Sequence, residues 1–352
     1  MAHTLFWHFM RTGLAVWALA SAVFLLSRRD PDAAVQMQLP DTTSLPTDRS
    51  TPAARQATQL AVQRRLGLDL PVFYVSRRPR SQGGEWRWHG SRNQYHIWMT
   101  GLLSGDLGTS FRTGAPIAAS LRHALAYTLP LTGTAALLAV VAALALGQRL
   151  AAAPWWQQPV RAALVGLQAL PLFVVALGLL LLFANPEVLA WFPAYGLEQP
   201  SDGELGSMDQ LATYAQHLVL PVVALVLTAL PELTLQLDAA LSQELRTDYA
   251  TTARAKGLGQ GAVIRHHALR NALLPTITQI AELLPALVAG AVVVEVVFAL
   301  PGMGRLLAGA AAARDYPLLV GGVLLTGAAR LLALLLADVL YLWADPRIRW
   351  LA

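Results

Sequence analysis

Ionisable residues inside long apolar runs are where chemistry would have to sit. Glu282 and Glu295 share one such run, and Arg330 and Asp338 share another. If the runs cross a bilayer, insertion scales charge about 2.5–3.5 kcal/mol for an Arg or Asp at mid-span, so such residues face a partner or a wet path. Counted from the ends of their runs at about 1.5 Å per residue, Glu282 and Arg330 reach similar depth, near mid-membrane. They either pair with one another or line a solute pathway, and a Glu–Arg clamp between two spans fits the same arithmetic. Glu295 lies near the far end of its run, where it is a gate or a local cap.

Other chemistries are missing. No Walker A loop is present, so the chain does not hydrolyse ATP by that device, and there is no HExxH, Gly-x-Ser-x-Gly or calcium loop. No Cys is present, which removes disulfides, thiolate metal sites and Cys nucleophiles. His266 and His267 are adjacent and point apart on a helix, and His89 and His96 lack nearby carboxylates, so no metal and no cofactor is expected on this chain.

The richest stretch is polar: Asp248-Tyr249-Ala250-Thr251-Thr252-Ala253-Arg254-Ala255-Lys256-Gly257-Leu258, then Arg265-His266-His267-Ala268-Leu269-Arg270-Asn271-Ala272-Leu273-Leu274-Pro275. It reads as a helix, a break at Gly257, and a second basic helix entering the next apolar run. Small residues at 250, 253 and 255 leave a face that a partner's groove could accept closely. By composition alone, a basic inner loop explains the same residues.

The elements that must hold these residues follow from composition. The chain has 352 residues, is 55% hydrophobic and only 13% charged, whereas soluble domains are about 25% charged. Runs of roughly 20 apolar residues suit a bilayer. Six qualify: about 5–26, 124–146, 162–184, 218–237, 273–298 and 318–343. Residues 1–27 have no clean cleavage site and read as an uncleaved anchor. Prolines 130, 171, 221, 231 and 285 lie inside these runs, which membranes tolerate. The expected class is therefore an all-α membrane protein with six transmembrane helices, dividing into 1–27, an extracytoplasmic segment 28–123 and a five-helix core 124–352.

Arg placement orients it. Arg149, Arg161, the 238–272 loop and Arg347 with Arg349 fall on one side, so both termini are expected in the cytoplasm. Segment 28–123 carries 13 Arg against seven acids on the opposite side, but the rule applies to loops shorter than about 60 residues. The net charge of +5 is thus no nucleic-acid footprint, and no nucleic-acid partner is expected. Within the segment, 31–51 reads as loop, 52–66 as a helix ended by Gly67, and Arg77–Arg92 as a basic stretch with Trp86 and Trp88. Tyr95–Leu107 reads as a surface helix with Ile97, Trp98, Leu102 and Leu103 inward.

The order of residues in 248–258 and 267–275 resembles the coupling loop of ABC-importer permeases of the dipeptide/oligopeptide/nickel branch. Leu66–Pro71, Gly105–Ser110, Glu295–Arg305, Asp315–Pro317 and Asp345–Arg349 resemble further motifs of that branch in the right order. The resemblance implies the type I importer permease fold in the cytoplasmic (inner) membrane, among membrane lipid. It implies a second homologous permease, two cytoplasmic ATPase subunits that carry ATP and Mg, and an extracytoplasmic substrate-binding protein. It implies import of peptides by alternating access; nickel chelates or another small solute are the alternative, and a non-transport scaffold a remoter one. By the same resemblance Tyr249, Ala253, Ala255, Lys256 and Gly257 dock into an ATPase groove, Arg254 pairs with ATPase acids, and Asn271 and Pro275 set the join to the fifth span. Asp248, Thr252 and Leu258 complete the motif. Two departures stand out. Relatives carry Arg at the end of span four, where this chain reads Leu235-Gln236-Leu237-Asp238, and residues 72–100 are longer and richer in Arg and Trp.

Overall fold

The computed structural model describes residues 2–28, 60–61, 63–64, 69–77, 85–152, 156–193 and 208–344. The loop at 31–51, most of the helix expected at 52–66 with its Gly67 stop, and the Asp345–Arg349 motif lie outside the described residues. In chain order the elements are helix α1 (Ala2–Ser27), strands β1 (Val75–Arg77) and β2 (Trp86–Trp88), and α2 (Gln94–Leu103). Then come α3 (Ile117–Ala152), α4 (Gln157–Gln168), α5 (Leu172–Phe183) and α6 (Met208–Glu244). The polar loop holds α7 (Asp248–Ala255), α8 (Gln260–Val263) and a π-helical turn (Ile264–Ala268), which runs into α9 (Leu269–Val297). α10 (Met303–Ala312) and α11 (Tyr316–Ala344) complete the described chain.

The apolar runs fall in helices, and α3, α6 and α11 extend past theirs at both ends. By length and hydropathy alone, α3 and residues 212–244 are long enough to cross a membrane, and a third crossing arises if α4 and α5 count as one bent span. Segments Gly13–Leu26 and Tyr316–Leu332 are shorter apolar helices. The run at 162–184, expected as one helix, is broken: α4 and α5 meet at a bend of 100°. Pro171 is the reason. It disfavours helix at the residue before it and has no N–H to give, and it sits extended at ψ 141 as the N-cap of α5. Pro130, Pro221 and Pro231 stay inside unbroken helices.

The chain divides into two compact units. One comprises Met1–Phe9, Ala124–Leu306 and Ala329–Ala352; the other comprises Met10–His123 and Leu307–Ala328. In the first, Leu131, Ala135 and Ala139 of α3 pack with Ala176 of α5, Leu225 of α6, and Ala291 and Val294 of α9. Alanine every fourth residue gives α3 a smooth stripe, the small-residue packing that membrane helices use in place of a hydrophobic drive. Close approach recurs at Gly147, where a Cβ would meet Leu237 Cδ2 at 2.9 Å.

The second unit is centred on rings. Ala20 and Phe24 of α1, Tyr95 of α2 and Val320 of α11 are buried together. Phe24 stacks on Trp98 at 4.7 Å, and the Tyr95 hydroxyl shares a 2.9 Å hydrogen bond with Ser21. This corrects the facing of the surface helix. Asn93 caps it by accepting from the His96 amide, which turns Tyr95 and Trp98 inward and leaves Ile97 and Leu103 exposed. The helix ends at Leu103 rather than 107, before Gly105 at φ +84. The basic stretch at 77–92, which has no strand-like alternation of aliphatics, contains the second strand of an antiparallel hairpin, with Val75 opposite Trp88 and Arg77 opposite Trp86.

Candidate functional site

The loop between α6 and α9 is built from its small residues outward. Ala250 and Ala253, one turn apart on α7, are buried against Val263, with Leu245 beside them. Tyr249, Thr252, Arg254, Ala255, Lys256, Gly257 and Leu258 are exposed. The small face therefore divides: Ala250 and Ala253 pack α7 onto its own chain, and Ala255 stays outward. Gly257 ends the helix at φ +86. That left-handed conformation suits Gly, and it lets the Gly257 and Leu258 amides reach the Arg254 and Ala253 carbonyls at 2.9 and 3.3 Å, as helix C-caps do.

A polar clasp fixes α7 to the long helices. The Tyr249 hydroxyl donates to the Glu244 carboxylate at the end of α6. The Asn271 amide of α9 donates to Glu244 and Tyr249, both at 3.3 Å. Burial, seconded by the Glu244 hydrogen bond, holds the Tyr249 phenol above its ordinary pKa, so it remains a protonated donor. Arg254 Nη2 donates to the Leu245 carbonyl at 2.6 Å, and Gln260 Nε2 donates to the Ala151 carbonyl at the end of α3 at 2.8 Å. Asn271 lies in the first turn of α9. Pro275 does not mark a break: α9 is continuous through it, and the irregular geometry lies earlier, in the π turn at 264–268. Asp248 opens α7 as the acid of its first turn, where a negative charge suits the helix dipole.

Sequence reasoning missed the charge contact at the end of the fourth apolar run. Asp238 is 4% exposed and receives Arg161 of α4 through both oxygens, at 2.7 and 3.0 Å. The departure that places an acid there is answered by Arg161, 77 residues earlier in the chain. The signal was visible as an acid just past an apolar run, but its partner was not.

Glu295 is fully buried and forms a local cap rather than an ion pair. It accepts from the Thr128 hydroxyl at 2.6 Å and from the Gly304 and Arg305 amides at 2.7 and 3.1 Å. Those amides are the N-terminus of α10, where unpaired N–H groups and the helix dipole favour a carboxylate. Thr128 also accepts from the Met303 amide at 2.8 Å, so α3, α9 and α10 meet on one hydroxyl and one carboxylate. A second buried acid, Asp315, accepts from the Ser110 hydroxyl and, at 3.1 Å, from the Phe111 amide. It joins the Gly105–Ser110 and Asp315–Pro317 motifs. Glu282 and Arg330 are both exposed on the subunit, and among the described residues no ion pair joins them. Among the described residues no cluster of His, Asp and Glu is placed to hold a metal.

The chain is apolar and helical, with an exposed polar helix carried on the ends of long helices, the build of an integral membrane component. Residues 121–350 match the family described as "Binding-protein-dependent transport system inner membrane component", and the chain belongs to it. Relatives include the dipeptide transport system permease protein DppB of Alkalihalophilus pseudofirmus, 34% identical over 73% of this chain and 81% of its own. The oligopeptide transport system permease protein AppB of Bacillus subtilis is 33% identical over 73% of this chain and 80% of its own. The probable D,D-dipeptide transport system permease protein DdpB of Escherichia coli is 33% identical over 82% of this chain and 83% of its own.

Proposed function

We propose that this chain is one permease subunit of an ATP-driven importer of di- or oligopeptides. The observation that carries this is α7: a largely exposed helix capped by Lys256 and held to α6 and α9 by the Glu244–Tyr249–Asn271 clasp. Such a helix passes a push from a cytoplasmic partner directly into membrane helices. The partners are two ATPase subunits, a second permease of similar build and an extracytoplasmic binding protein. ATP and Mg act on the ATPases. Closure of the ATPases moves α7 and, with it, α6 and α9, which switches the pathway between outward and inward openings. That is two global states biased by a ligand, as a coupling mechanism requires.

In this arrangement six spans cross the membrane (α1, α3, the α4–α5 pair, α6, α9 and α11), with both termini and the 245–268 loop in the cytoplasm. Glu282 and Arg330, exposed on the isolated subunit, line the pathway or the face shared with the second permease, because a charge turned to lipid would be too costly. Peptide is favoured as cargo by the three relatives named for peptide transport. Competition tests this. Labelled dipeptide uptake by cells carrying the full transporter should fall with excess unlabelled di- and tetrapeptides and stay unchanged with a nickel chelate. Competition by the chelate alone would move the cargo assignment, and no uptake of either would point to a scaffold.

A further inference from the structure

The β1–β2 hairpin lies in the stretch 72–100, which carries Arg77, Arg78, Arg80, Arg87 and Arg92 together with Trp86, Trp88 and Trp98. Trp86 and Trp88 are two apart on β2, so they lie on one face of the strand and Arg87 lies on the other. Both residues are largely exposed, 71% and 70%. Exposed Trp in a pair is unusual on a surface that meets only water, since burying one such ring is worth well over a kcal/mol.

The hairpin is tied to the end of a membrane helix by a ladder of rings. Phe24 lies in the last turn of α1. Its ring meets Tyr95 at 5.6 Å, Tyr95 meets Tyr74 at 6.2 Å, and Tyr74 stacks on Trp88 at 5.8 Å. The Tyr74 hydroxyl also bonds His96 of α2 at 3.0 Å, and Ser76 bonds His89 across the hairpin at 2.7 Å. α1 itself leaves Leu14, Trp17, Leu19 and Leu26 exposed on more than one side of the helix, apolar surface of the kind that lipid covers. The hairpin therefore starts where the apolar part of α1 stops, and the polar interface there is roughly 5–7 Å deep on each side of the hydrocarbon. Trp is the residue that settles at that level, its body apolar and its N–H wet. Elsewhere in the same unit Ile97 and Leu103 of α2 are exposed, and the 28–123 segment carries six more Arg than acids, which suits anionic headgroups.

We propose that the Trp86–Trp88 face of the hairpin lies in the lipid interface beside α1 and fixes the height and tilt of the hairpin and α2 on the membrane surface. The occupant of this face is the bilayer, not a protein. The assignment does not depend on the cargo, nor on which side of the membrane the segment lies.

The absence of Cys makes the test direct. Trp88→Cys and, on the opposite face, Arg87→Cys are spin-labelled in the assembled transporter. The transporter is reconstituted in phosphatidylcholine–phosphatidylglycerol vesicles, and label collisions with oxygen and with a water-soluble nickel complex are compared. The label at 88 should favour oxygen, and the label at 87 should favour the nickel complex. Because the substitution at 88 removes one of the two rings, a second measurement uses native Trp. Quenching by lipids brominated near the headgroup should drop in Trp86→Phe/Trp88→Phe relative to the unsubstituted chain. Equal nickel access at 87 and 88, together with unchanged bromolipid quenching in the double variant, would overturn the proposal. So would protection of position 88 that appears only when the binding protein is added, which would give the face to a protein partner.

Discussion

At the scale of single residues, the decisive features are buried acids whose donors are fully specified. Glu295 is closed in by Gly302, where a Cβ would collide with its carboxylate. Gly302→Ala should therefore destabilise the chain by about 1–3 kcal/mol, as overpacking does. Gly309→Ala in α10, a position open to space, should be neutral or mildly stabilising. Thermal unfolding of the purified complex separates the two. The Arg161–Asp238 pair predicts an asymmetry. Asp238 is 6% exposed at its side chain and Arg161 is 36% exposed. Arg161→Ala strands a buried carboxylate and should cost about 1–3 kcal/mol, whereas Asp238→Ala leaves a guanidinium that water can reach and should cost less. Equal losses would mean that the pair is not the source of the stability. None of these partnerships was legible beforehand. The acids stood out in the sequence, but a hydroxyl 167 residues away carries no pattern that announces it.

At the scale of elements, the sequence was most informative where periodicity is long. The six apolar runs locate helices, and Gly257 locates the end of α7, because apolar length and a left-handed turn are local properties. The α4–α5 bend was missed because a proline inside an apolar run has two outcomes. Pro130 and Pro231 are carried inside helices, while Pro171 starts one, and the choice depends on what packs around it. The hairpin was missed because its strands are three residues each, too short for alternation to show. The loop gives a prediction that turns on facing. Ala253 is buried and Ala255 exposed on the same short helix. Ala253→Leu should drive α7 off Val263 and lower the stability of the purified subunit. Ala255→Leu should leave stability unchanged and reduce ATP-driven uptake by obstructing the ATPase groove. If Ala255→Leu transports normally, the exposed side of α7 is not the docking face.

At the scale of the whole molecule, the small charged fraction and the basic excess separate by place. Apolar length goes into helices. Some charges beside them are paired, as Arg161 is with Asp238, and 13 of the Arg residues lie in the 28–123 segment. The chain's only lysine, Lys256, is exposed just past α7, on the element proposed to meet the ATPases. The loop is proposed to convert ATP turnover into transport. ATP-dependent accumulation of labelled dipeptide in proteoliposomes holding the complete transporter, with and without Lys256→Glu and Gly257→Val, tests it. Val at φ +86 strains the turn, and the charge reversal alters an exposed side chain without touching the core. The account predicts accumulation by the unsubstituted complex and little or none by either variant, with both variants inserted and assembled. Undiminished accumulation by both assembled variants would contradict it.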